Sequence, residues 1–302
     1  VVKERRGRTR VVVDPVPRWY RSPKDSGFAL YVSIYLHCRR FFDTMFWKFR
    51  SQSKERKIPV AHAIPVGRRV YAIGDIHGRD DLFSQIIDMI RTDNLSRSQA
   101  ETTLILLGDL VDRGPASAEV VERARLLKNE FPDTRLLIGN HEECFLAALT
   151  GSVRRLRYFM RIGGDATVES YWKDSGCLAN ASFEDVAARL PTLVPQSHID
   201  FLNSGEDYIE IGDYAFVHAG IRPGVPFERQ SLTDLRWIRD EFLDETSDHG
   251  KIIVHGHSIT AEPDEQANRI GIDLGAFQSG CLAALALEND QRWYLFAREA
   301  RS

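Results

Sequence analysis

Short apolar runs that stop on a glycine-flanked Asp, Asn or His recur five times along the chain. Val70-Tyr71-Ala72-Ile73 leads into Gly74-Asp75-Ile76-His77-Gly78, and Thr103-Leu104-Ile105-Leu106-Leu107 into Gly108-Asp109-Leu110-Val111-Asp112-Arg113-Gly114. Leu136-Leu137-Ile138 leads into Gly139-Asn140-His141-Glu142, Tyr214-Ala215-Phe216-Val217 into His218-Ala219-Gly220, and Ile252-Ile253-Val254 into His255-Gly256-His257. Each run reads as a buried strand, which delivers its terminal polar residue to the sheet edge where α/β folds bind ligands. One Gly-Asp after a strand is usually an ordinary turn, so the repetition carries the reading. Five of the nine histidines (His77, His141, His218, His255, His257) fall at these strand ends.

Between the runs the period changes from two to 3.6. Leu82, Phe83, Ile86, Ile87 and Ile90 mark one helix after Gly78. Val120, Val121, Ala124 and Leu127 mark another after Pro115, stopped at Phe131-Pro132. The alternation predicts an α/β sheet with helices packed on its faces, each ligand-bearing strand feeding a helix. Residues 143 to about 205 interrupt the series with a mostly helical pattern and read as a cap inserted beside the site. Within it Arg154, Arg157 and Arg161 share a helical face that could attract a phosphorylated substrate, although a solvated basic face is commoner. Gly163-Gly164-Asp165 reads as a tight turn. Strands near 208–211 and 214–218, the segment Asp234-Leu235-Arg236-Trp237-Ile238-Arg239-Asp240, the 251–257 strand and closing strands from 270 to about 298 complete the domain, 68–302.

Composition changes this picture mainly before residue 68. The net charge of -3 hides fifteen Lys or Arg against five Asp or Glu in residues 1–57, which leaves an acidic body and argues against nucleic acid as a partner. Residues 1–67 read as a basic, poorly ordered extension, with Met45 the expected natural start and basic residues among Phe41, Phe42, Phe46, Trp47 and Phe49 suited to an anionic membrane surface. The apolar run 28–36 is about half of the twenty residues a bilayer span needs, so no transmembrane segment is expected. Cys38, Cys144, Cys177 and Cys281 have no zinc spacing and suggest reduced thiols in a cytoplasmic protein.

Carboxylate, amide oxygen and imidazole together suit manganese, iron or zinc better than calcium. Six or seven such ligands fit two divalent ions that share a bridging carboxylate about 3.5 to 4 Å apart, where a metal-activated water attacks phosphorus in line.

In order, GDIHG, GDLVDRG, GNHE, HAG and GH resemble the signature of the phosphoprotein phosphatase family within the calcineurin-like metallophosphoesterases, nearest its short bacterial and phage-type members. The resemblance covers about residues 69–290 and implies a β-sandwich of two mixed sheets flanked by helices. It implies that Asp75 and His77 bind one metal, that Asp109 bridges, and that Asn140, His218 and His257 bind the second. It also implies that His141 is the general acid oriented by Asp112, and that Arg113, Arg239 and Asn140 bind substrate phosphate. Protonation of a poor alkoxide leaving group agrees with that role for His141, and a guanidinium fork suits phosphate oxygens.

Three positions depart from the pattern: Ile138 where many members have Arg, Leu274 where related bacterial chains tend to have Thr, and His255 as an additional imidazole. The lost hydroxyl at Leu274 could loosen its loop, and His255 reads as an outer partner of the site or a hydrogen-bonded strand-end histidine. The expected activity is manganese-dependent hydrolysis of phosphomonoesters by a protein serine/threonine or dual-specificity phosphatase, on a phosphorylated protein or a small phosphomonoester. The alternative is symmetrical dinucleoside polyphosphate hydrolysis, whose enzymes tend to have Gln where this chain has His77. A non-catalytic scaffold is a third reading, disfavoured because every matched ligand is present. Oligomeric state is not legible.

Overall fold

The computed structural model describes residues 58–59, 62–172 and 178–300. The chain divides into two units, and everything below belongs to the one formed by 52–173 and 183–302. Of the other unit only 178–182 are described, a turn closed by the Ala181 N–H on the Leu178 carbonyl. Met45, the aromatic and basic stretch 41–49, Cys38 and Cys177 lie outside the described residues.

The first sheet has six strands: β1 (Ile58–Pro59), β2 (Arg68–Ile73), β3 (Glu101–Leu106), β4 (Asp133–Leu136), β10 (Cys281–Glu288) and β11 (Gln291–Arg298), in the order β1-β11-β10-β2-β3-β4. Its β2, β3 and β4 run parallel, while β10 lies antiparallel to β2 and β11. The second sheet has the order β5-β6-β7-β9-β8, from β5 (Tyr208–Ile211), β6 (Tyr214–Val217), β7 (Ile252–His255), β8 (Asp264–Glu265) and β9 (Arg269–Gly271). Here β6, β7 and β9 are parallel.

Strand alternation explains the layering. Val70 and Ala72 point one way from β2 and join Ile105, Phe216, Val254, Ile270 and Leu285 in the core between the sheets. Tyr71 points the other way, and its hydroxyl donates to Asp93 Oδ2 at 2.6 Å on α1 (Asp80–Leu95). Burying each such apolar side chain contributes about 1.5–3 kcal/mol. The outer face of the second sheet is covered by α8 (Leu232–Trp237) and α9 (Asp240–Leu243), with Leu235, Ile238 and Phe242 against Val217 and Ile253.

The helical stretch comprises α3 (Asn140–Ala148), α4 (Val153–Phe159), a π-helical turn at Met160–Gly164, α5 (Asp165–Tyr171), α6 (Phe183–Leu193) and α7 (Gln196–Asn203). Two further helices are α2 (Ser117–Leu126) and α10 (Ala276–Ser279).

Several expectations are modified. Strands β2, β3 and β4 each feed a helix, and β6 reaches α8 and α9 through the loop 218–231, but β7 runs through a loop into β8 with no helix between them. The third ligand strand begins earlier, at Asp133, and Leu137 instead bridges to Glu206. Residues 58–59 pair with β11 and Ile64 is buried, so part of the expected extension belongs to the folded body. The π turn breaks the expected arginine face. Its wider winding rotates Arg161 out of register, and Arg157 turns to Glu184 at 3.8 Å and the Phe183 ring.

Candidate metal centre and phosphate site

The loops after β2 and β3 are stitched together by backbone bonds. Ile76 N–H and His77 N–H both donate to the Asp109 carbonyl at 3.1 and 2.9 Å, and Gly78 N–H donates to Leu110 O at 2.9 Å. Gly78 and Gly114 meet backbone to backbone, and a Cβ on Gly114 would lie 2.2 Å from the His77 carbonyl oxygen, so only glycine fits. His77, Asp109, Asp112, Arg113 and His257 all have left-handed backbone, with φ of 47°, 50°, 76°, 69° and 62°. Among the described residues only one other non-glycine, Asn289, does so. Strain of about 1–3 kcal/mol at each such residue persists only where surrounding structure enforces it, and it clusters where side chains must converge.

They converge on Asp109. Its Oδ2 lies 3.5 Å from His77 Nε2 and 3.8 Å from His141 Nε2, while its Oδ1 lies 3.4 Å from His218 Nε2. His77, Asp109 and His141 form one group of candidate metal ligands, and Asp109, His218 and His257 form another. In each group the ligand atoms lie within 4.8 Å of one another. Asn140 Oδ1 is 3.0 Å from His218 Nε2 and joins the second group. Asp75 stands outside both triads, accepting the His257 N–H on Oδ2 at 3.0 Å.

The donor set fits two cations. His77 Nδ1 and His218 Nδ1 each donate to a carbonyl at 2.8 Å, of Val111 and Leu107, which leaves both Nε2 lone pairs facing inward. Asp75 Oδ1 and His257 Nε2 are buried without a hydrogen-bond partner. Burial pushes Asp75 well above the usual carboxylate range, helped by the charges of Asp273 and Asp109, and raises Asp109 to about 6. Burial also lowers the imidazoles, His218 to about 4 and His257 to about 2, so both are neutral at neutral pH. Divalent cations would relieve this crowding of carboxylates.

His141, a member of the first triad, is also one half of a hydrogen-bonded His–Asp pair. His141 Nδ1 meets Asp112 Oδ2 at 2.5 Å, and Arg113 Nη2 donates to His141 Nε2 at 3.2 Å. Arginine has no acceptor, so the Nδ1 proton faces Asp112. The Arg113 guanidinium lies 4.7 Å over the Phe277 ring. Arg239 donates to Ser258 Oγ at 3.3 Å, and its charge lowers His257, His141 and His218, which places it against the same centre.

Three departures find places. Ile138 packs on Gly205 and is buried, and Asp112 is held from elsewhere. Leu274 is buried with Cys281 and Ala283. His255 bonds its own neighbour's carbonyl at Gly256 and packs on Phe242, outside both ligand groups.

Sequence reasoning missed three supports. Glu142 accepts the N–H groups of Gly139, Asp109 and Leu110 at 3.0, 2.7 and 2.7 Å, fixing the Asp109 loop. Its place three residues after Gly139 has capping-box spacing, a usable signal. Asp273, buried two residues after β9, accepts the Gly275 N–H at 2.8 Å, and its charge adds to the crowding that raises Asp75. Thr167 Oγ1 donates to Asp112 Oδ1 at 2.6 Å, and nothing in its local sequence announces it.

The chain was compared with known proteins. Symmetrical bis(5'-nucleosyl)-tetraphosphatases are similar to it: that of Acidovorax ebreus is 41% identical over 88 residues, 29% of this chain and 28% of that protein. That of Chromobacterium violaceum is 30% identical over 154 residues, 51% and 44% of the two chains. The chain thus spans less than half the length of either relative. Among solved structures, a protein named as a candidate diadenosine tetraphosphatase shares the fold with TM-score 0.52 and 23% identity, covering 80% of this chain and 97% of that one. A Saccharomyces cerevisiae protein serine/threonine phosphatase shares it with TM-score 0.51 and 16% identity, covering 78% and 81%. The calcineurin-like phosphoesterase family profile matches residues 68–283, which contain every residue of both ligand triads, and the chain belongs to that family.

Proposed function

We propose that this chain hydrolyses a phosphate ester or anhydride at two divalent ions, with manganese the first metal to test. The reading rests on the two groups of candidate ligands that share Asp109, one of them containing His141, which is hydrogen-bonded to Asp112. Asp75, His77 and Asp109 would hold one ion, and Asp109, Asn140, His218 and His257 the other. Bound there, such ions supply an activated water and neutralise phosphate oxygens. The protein's own residues do the rest. Arg113 and Arg239 orient the phosphate, His141 passes a proton to the departing oxygen, and Asp112 holds the imidazole and favours its protonated form.

The relatives favour a symmetrical dinucleoside tetraphosphate as substrate over the phosphoprotein that the motifs first suggest. The phosphomonoester reading keeps one support, His77 in the first motif, whose Nε2 faces the centre. Metal-stripped protein with and without manganese separates them, given diadenosine tetraphosphate and a phosphoserine peptide side by side. Manganese-dependent formation of two ADP per dinucleotide supports the first reading. Phosphate release from the peptide alone replaces it with the second, and inactivity on both removes the catalytic reading.

A further inference from the structure

A cavity of about 380 Å³ opens between α3 and α4, lined by Glu143, Cys144, Ala147, Arg154, Arg155 and Tyr158. That volume is in the range of small-molecule sites. Its α3 residues continue a stripe that starts at Asn140. Positions 140, 143, 144 and 147 follow i, i+3, i+4, i+7 spacing, so the α3 residues that line the cavity share a helix face with Asn140. Seven residues of helix carry it roughly 10 Å, the reach of a nucleoside monophosphate from a reacting phosphate. Its far wall offers two guanidinium groups and an aromatic ring. Arg154 is exposed and makes no hydrogen bond or ion pair among the described residues. Arg155 makes one bond, to Thr150 Oγ1 at 3.3 Å. Tyr158 is 45% exposed. The acid in the cavity is already engaged: Glu143 accepts from Arg236 at 3.2 Å and from Trp237 Nε1 at 3.3 Å. The arrangement therefore presents net positive charge and a ring face, which suits a phosphate joined to a nucleobase.

We infer that the α3–α4 cavity holds the non-reacting nucleoside phosphate half of the substrate, with Arg154 and Arg155 on its phosphates and Tyr158 against its base. This deepens the dinucleotide reading and rests on it. The arginine pattern in the sequence pointed to Arg154, Arg157 and Arg161, but the fold brings Arg154, Arg155 and Tyr158 together, one helical turn wide, and commits Arg157 to Glu184.

The test compares the Arg154→Ala/Arg155→Ala double variant and Tyr158→Ala with the unaltered protein on diadenosine tetraphosphate and on p-nitrophenyl phosphate, which is too short to reach the cavity. The double variant should raise KM for the dinucleotide roughly tenfold, about what one charge-assisted hydrogen bond is worth. Its kcat, and both constants for p-nitrophenyl phosphate, should stay unchanged. Tyr158→Phe should keep the KM that Tyr158→Ala loses. An unchanged KM, or an equal rise on both substrates, overturns the subsite. If p-nitrophenyl phosphate is turned over and the dinucleotide is not, the substrate reading fails, and the subsite is judged on ADP alone by equilibrium dialysis. Weaker ADP binding in the double variant then sustains it, and identical binding overturns it.

Discussion

The two halves of the metal centre are built in different ways. Asp75, His77, Asp109, Asn140 and His141 come from the ends of three parallel strands, each followed by a helix, and the first two loops are tied to each other by backbone bonds. His218 and His257 come from the second sheet, which at the metal centre meets the first through the Asp109 carboxylate, the Asp75–His257 bond at 3.0 Å and the His218 Nδ1 bond to Leu107 O at 2.8 Å. The first half is set by turn chemistry along the chain. The second is set by how two sheets pack. Damage within the first half should therefore stay local, whereas damage at Asp109 should disconnect both.

Asp109→Asn is the strongest way to break the comparison. With one shared oxygen replaced by an amide, metal content measured by plasma mass spectrometry should fall from two ions per chain to below one. Turnover should drop beyond the roughly 10²–10³ that one lost transition-state donor costs. Two retained ions would mean that Asp109 does not join the halves. His141→Asn should cost roughly 10²–10⁴ in turnover, the range for a lost general acid, while both ions remain. Since His141 Nε2 shares a triad with His77 and Asp109, equal metal loss in the two variants would place His141 among the ligands. Glu142→Gln sharpens the contrast through stability. It points an amide donor at N–H groups that now share a carboxylate, costing about 1–3 kcal/mol. In a domain of this size that is on the order of 2–4 °C of melting temperature per kcal/mol. An unchanged melting curve would show that the Asp109 loop holds itself.

The same contrast explains what could be read from sequence. Asp75, Asp109 and Asn140 were legible because a strand that ends in glycine and a polar residue leaves a local signature. His218 and His257 carry that signature too, but nothing in their spacing says that they lie in a second sheet, and that arrangement came from the family resemblance. The alternation of strand and helix lapses only after β7, where the chain passes through loops into β8 and β9. Asp273 lacks that strand-end signature, because β9 is the short Arg269-Ile270-Gly271 and no glycine adjoins the carboxylate. Thr167 was out of reach: it lies 55 residues from Asp112, beyond a π turn whose Gly163, at φ 111°, accepts the Arg113 N–H.

Thr167→Val is the smallest of these perturbations and the most specific. The hydroxyl donates to Asp112 Oδ1 at 2.6 Å and accepts the Asp112 N–H at 2.8 Å, while Ser117 Oγ also accepts that N–H at 3.0 Å. Valine keeps the volume and removes the donor. Burial already pushes Asp112 well above the usual carboxylate range, and the Thr167 hydroxyl is the main influence that pulls it back. A donor to an ionised carboxylate lowers its pKa, so removing it raises Asp112 further. Since ionised Asp112 is needed to favour protonated His141, the acid limb of the kcat profile should move to higher pH. Turnover at neutral pH should fall roughly tenfold, about what one hydrogen bond to a charged group contributes. Thr167→Ser should restore both. Metal content should stay as it was, because Thr167 touches neither Asp109 nor Glu142. A fall in turnover with no displacement of the acid limb would mean that Thr167 only packs, and that Asp112 is held by Ser117 and His141 alone.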